Sequence, residues 1–119
     1  MTPEDLLTFI QFPHFRREWN RLRLDDEDLR ALEIAIMCNP RQPVVAGTGG
    51  LRKLRFAPPG WRRGKSGALR IGYVFLEEFS VVGLIVVYAK ADAANISPAG
   101  RQVIRRAIEQ FTLYWRKGG

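Results

Sequence analysis

The run VVGLIVVYA, residues 81–89, constrains this chain more than any other stretch. It carries no charge and is almost wholly apolar, with valine and isoleucine dominating. A strand of that composition is buried on both faces, so helices must cover the sheet it belongs to. The run is too short to cross a bilayer as a helix. Just before it lies ALRIGYVFL, residues 68–76, joined through EEFS. Two β-rich runs separated by a short polar link predict neighbouring strands.

The rest of the chain supplies the cover. LLTFIQF, residues 6–12, reads as a first strand. Pro13 suits the first turn of a helix, and FRREWNRL places Phe15, Trp19 and Leu22 on one helical face. A second helix starts in DDEDLRALEIAIM, with Asp25 as cap, Asp28 three residues on, and Leu24 with Leu29 at staple spacing. Asn39-Pro40 stops it, and a tight link around Arg23 and Leu24 joins the pair. In GTGG, Gly47, Gly49 and Gly50 are available for positive φ. LRKLRFA follows as a strand, and PPGWRRGKSG as a loop. A last helix opens at Ser97 and Pro98, with Val103, Ile104, Ala107, Ile108, Phe111, Tyr114 and Trp115 as its apolar stripe. One α+β domain over residues 1–119 is expected, a sheet with helices packed on it.

Charge narrows the function. The net charge is +7, and eight of the twelve acids precede Asn39. From Gly47 to Tyr73 there are seven basic residues and no acid. That excess calls for an acidic partner, a nucleic acid or an acidic protein. The single cysteine, Cys38, excludes an internal disulfide and reads as buried filler in a cytoplasmic protein. One histidine, His14, and no closely spaced ligands argue against metal catalysis. The Glu77-Glu78 pair reads as a solvated turn. GTGG lacks the spacing of a phosphate-binding Walker loop, and a strand follows it in place of a helix.

What remains is positive charge on a sheet. The strand period of two groups Lys53 and Arg55 with Leu51 and Ala57, and sends Arg52, Leu54 and Phe56 the other way. Arg70 falls with Gly72 and Val74, and Tyr88 with Lys90. Arg62, Arg63 and Lys65 hang in the loop, with Trp61 as a stacking ring. A face of Lys53, Arg55, Arg70, Tyr88 and Lys90 would hold phosphates and stack a base, which suits single-stranded RNA. It could also stabilise a pentacoordinate phosphorane without a metal. Charge alone supports binding, and does not distinguish binding from cleavage.

The order MCNP, GTGGLRKLRFA, a basic loop, RIGYVF and VGLIVVYAK resembles the RelE/HigB-type toxins of bacterial type II toxin–antitoxin systems, closest to the HigB-2-like branch. The resemblance implies a small RelE-like domain, with an antiparallel-dominated sheet, an N-terminal helix pair and a C-terminal helix. It implies a cytoplasmic endoribonuclease that cuts messenger RNA in the A site of the translating 70S ribosome, by attack of the RNA 2′-hydroxyl on the phosphate, with no cofactor. Lys53 and Arg55 would then polarise the phosphate, Arg70 would stabilise the transition state, and Tyr88 would stack or help proton transfer. Lys90 belongs to the same motif, and Arg52, Trp61, Arg62, Arg63 and Lys65 would contact messenger or ribosome. A cognate helix-turn-helix antitoxin is the implied partner, operator DNA being reached only through it, with no role for a membrane. The sequence departs from the branch after Tyr88, where Ala89, Ala91 and Ala93 replace a glycine and polar residues. The competing expectation is a non-catalytic module that binds RNA or the antitoxin.

Overall fold

The computed structural model describes residues 6–59, 68–89 and 96–118. Its elements are β1 (Thr8–Gln11), α1 (Pro13–Arg21), α2 (Asp26–Cys38), β2 (Arg52–Phe56), β3 (Leu69–Leu76), β4 (Val81–Ala89) and α3 (Pro98–Arg116). The strands lie in the order β1-β4-β3-β2. β4 is therefore internal, as its composition predicts, and Val81–Ile85 and Val87 are all buried. β2–β3 and β3–β4 are antiparallel, while β1 runs parallel to β4.

Local chemistry sets the helix ends. Pro13 occupies the start of α1, whose cap residue Phe12 makes no side-chain capping bond. α1 closes with Leu24 N–H donating to the Trp19 carbonyl and Arg23 N–H to that of Asn20, while Arg23 sits at φ 58°. That is a Schellman closure with arginine where glycine is favoured. α2 opens on a reciprocal box: Asp28 N–H donates to Asp25 (2.9 Å) and Asp25 N–H to Asp28 (3.0 Å). At α3 the Ser97 hydroxyl oxygen accepts from Gly100 N–H, ahead of Pro98 at the first position.

The sheet carries a core on each face. Phe15 and Trp19 of α1 and Leu32 and Ile36 of α2 pack on Phe56, Leu69, Ile71, Tyr73, Val82, Leu84 and Val87. On the other face Ile104 and Ile108 of α3 pack on Leu51, Val74 and Ile85, with Phe12, Val86 and Phe111 at the margin.

Several expectations need correction. The first strand is shorter than residues 6–12, because its ladder begins where β4 does, at Thr8 opposite Val81; Leu6 is exposed. Cys38 is exposed too, not buried. It stands two residues past the buried Ile36, about 200° around the helix. Val103 and Tyr114 leave the expected stripe of α3, with 68% and 58% of their surface exposed. The contact of α3 is narrower than its apolar stripe, since only Ile104 and Ile108 are fully enclosed. The short EEFS link between β3 and β4, by contrast, forms where it was expected, as a single 3-10 turn, Glu77–Phe79, closed by Ser80 at φ 52°.

Candidate functional site

β2 enters the site from the GTGG turn. Gly47, Gly49 and Gly50 take φ of 77°, 75° and 123°. The fully buried Thr48 donates its hydroxyl to the Val45 carbonyl (2.6 Å) and accepts from Leu51 N–H (3.0 Å). Arg101 of α3 also donates to the Ala46 carbonyl at 3.1 Å. The start of β2 is thus fixed before its basic residues begin.

From there the pleat sorts the side chains. Lys53 and Arg55 are exposed, whereas Phe56 is buried and Leu54 packs against the helix-pair core. In register, Arg55 faces Arg70 and Arg70 faces Tyr88, forming one row across three strands. The adjacent row is Lys53, Gly72 and Val86. Both rows lie on the α3 side of the sheet, past Leu51, Val74 and Ile85, which α3 covers. Arg70 and Tyr88 are half-buried. The Arg70 Nη1 is enclosed yet makes no hydrogen bond among the described residues. A buried donor left unpaired costs stability, so an anion supplied from outside would satisfy it. Arginines directly opposite each other repel as well. No acidic residue stands in either row.

One irregularity makes the row possible. The β3–β4 register runs Gly72↔Val86 and then Tyr73↔Leu84, so Ile85 is an extra residue on β4. Ile85 and Val86 both reach the α3 core, whereas Leu84 and Val87 both reach the helix-pair core. Strict alternation from Leu84 would send Tyr88 to the helix-pair face; the bulge returns it to the side of Arg70. Gly72 is required for a related reason. A Cβ there would lie 2.5 Å from a Val86 methyl and 3.1 Å from Leu51.

The other sequence candidates fall elsewhere. Arg52 faces the opposite side, where its Nη1 donates to the Gln42 carbonyl at 2.7 Å. It stands in register with Tyr73, whose hydroxyl donates to the Pro40 carbonyl at 2.7 Å. Arg52 therefore anchors the segment leading into GTGG and is not part of the row. Trp61, Arg62, Arg63, Lys65 and Lys90 lie outside the described residues. Glu77 and Glu78 are at the far end of the sheet, exposed and paired with Arg41 and Arg116. Among the described residues no group of three His, Cys, Asp or Glu is placed to hold a metal ion.

Sequence reasoning missed the space beyond Tyr88. A groove of about 680 Å³ opens there between α1, β4 and α3, with His14 and Arg17 on its α1 side. Its signal was the exposed Val103 position, which the helical stripe had assigned to the core.

No family model matches this sequence. Among solved structures the chain is similar to the E. coli toxin RelE, a double-arginine mutant in the free state. The two share 18% identity with a TM-score of 0.51, over 74% of this chain and 87% of that one. The fold is therefore RelE-like: a small α+β arrangement with an antiparallel-dominated sheet between N-terminal and C-terminal helices.

Proposed function

We propose that this protein is the toxin of a type II toxin–antitoxin pair, of the HigB-2-like branch, and an endoribonuclease acting on translated messages. The observation that carries the reading is the row Arg55, Arg70 and Tyr88, flanked by Lys53, with the Arg70 Nη1 enclosed and unsatisfied among the described residues. The RelE-like fold supports it. The RNA supplies its own nucleophile. Its 2′-hydroxyl forms a bond to the adjacent phosphorus, the bond to the 5′ oxygen breaks, and the proton lost by the hydroxyl is balanced by one delivered to the leaving oxygen. Lys53 and Arg55 polarise the phosphate, and Arg70 meets the charge that develops on its oxygens. Tyr88 stacks a base beside the scissile bond or assists proton transfer, with Lys90 and the loop residues Trp61, Arg62, Arg63 and Lys65 as further contacts to message or ribosome. The setting is the ribosomal A site in the cytoplasm, and a helix-turn-helix antitoxin restrains the enzyme and carries it to operator DNA.

Primer extension on a defined message, with and without translating 70S ribosomes, tests the reading. Stops within the translated region that need ribosomes and vanish in Arg70→Ala are expected. Intact message alongside salt-sensitive RNA binding would reassign the chain as a non-catalytic binder.

A further inference from the structure

We infer that the groove between α1, β4 and α3 receives the nucleobase next to the phosphate held at Arg70. The inference rests on the reading of the basic row as an RNA site. β1 ends at Gln11 opposite Leu84, so among the described residues the second half of β4 has no strand on that side. α1 turns away at Pro13 and stands beside it, leaving an opening floored by Ile85 and Val86 and walled by Val103 and Ala107. Its volume of about 680 Å³ falls within the range of sites for small organic groups. An apolar floor suits the face of a base, which binds by stacking and dispersion with no need of fixed donors.

Two features select a base over other occupants. Tyr88 belongs both to the groove lining and to the row, opposite Arg70. A strand whose phosphate sits on Arg70 therefore has its next base at the mouth of the groove, with no extra chain to order. The rim charge is also of the right sign. Glu18 is held by Arg21 at 2.8 Å, which leaves Arg17 and the exposed His14 facing the opening. An apolar protein segment is the competing occupant, and nothing in the groove explains why it would need to meet Tyr88.

Fluorescein-labelled 2′-O-methyl hexaribonucleotides make the test, since they keep base and phosphate but lack the attacking hydroxyl. An abasic unit is stepped along the hexamer and affinity is read by anisotropy. At one position the missing base is expected to weaken wild-type binding about tenfold, as loss of one stacked base does. Val103→Trp and Ala107→Leu fill the groove, the first from a side chain already 68% exposed, and circular dichroism confirms that each is folded. In both, the penalty at that position should vanish, while Arg70→Ala should weaken every hexamer alike. A penalty unchanged in both filled variants overturns the groove assignment and leaves the row standing. Filled variants that keep the penalty but lose a bound protein partner give the groove to that protein and equally overturn it. Hexamers that bind Arg70→Ala as tightly as wild type overturn the row, and the groove assignment falls with it.

Discussion

At Arg70 the structure keeps an enclosed guanidinium nitrogen that no described neighbour satisfies. Such a group does more in a transition state than in a resting protein, because it meets charge where it appears. Arg70→Ala is expected to lower the single-turnover cleavage rate by about 10²–10³, with a smaller loss of RNA affinity. Arg70→Lys should recover only part of the rate, since an ammonium cannot present a planar fork. Tyr73, one strand register from the site and fully buried, plays a structural part. Burial holds its phenol above the ordinary value of 10.0, against the smaller downward pulls of the Gln42 backbone and the Arg52 charge. A raised pKa means the stabilising neutral form is fully present below pH 10 and is lost as pH climbs through the folded value. Chemical denaturation should thus show wild-type stability falling above pH 10, and Tyr73→Phe without that fall but about 1 kcal/mol weaker at pH 7. The period of two was enough to find Lys53, Arg55 and Arg70 in the sequence. It also placed Arg52 on the other face, and only the Gln42 carbonyl explains what that arginine does there.

The elements were legible wherever a local rule decides them. The Asp25–Asp28 box, Pro13, Ser97-Pro98 and the apolar run of β4 each forecast a boundary that the structure keeps. The bulge at Ile85 was not legible, because Leu84, Ile85, Val86 and Val87 are all apolar and any register would bury them. Only pairing with β3 decides which of them is the extra residue. The first strand was overextended for a similar reason: its length depends on where β4 begins, not on its own composition. The link between α1 and α2 offers a cheap check of local strain. Arg23 occupies the left-handed region, where a residue with Cβ pays about 1–2 kcal/mol. Arg23→Gly is therefore expected to raise stability by about 0.5–1 kcal/mol once the greater freedom of the unfolded glycine is counted, read as a higher urea midpoint.

At the scale of the molecule, positive charge and the half-covered sheet face work together. α3 shields one half of that face, leaving Lys53, Arg55 and Arg70 on the other. If those three meet phosphates of a single strand, the logarithm of the binding constant should fall with the logarithm of salt at a slope of about −2. Titration of a labelled single strand across a salt series measures this, and a slope near zero would contradict it. The layout of charge was plain in the sequence, but which half of the sheet stays open depends on how α3 crosses it, a tertiary matter that no local pattern carries. The order of the strands has a consequence for how the protein comes into being. β4 is the last strand synthesised and the one that joins β1 to the β2–β3 pair, so β1 waits for a partner some seventy residues beyond it. A nascent chain halted before Val81 can pair β2 with β3 and so oppose Arg55 to Arg70, but it lacks Tyr88 and the strand that ties that pair to β1. The full row of Arg55, Arg70 and Tyr88 is thus completed late in the life of each chain, by the strand that also closes the sheet onto β1.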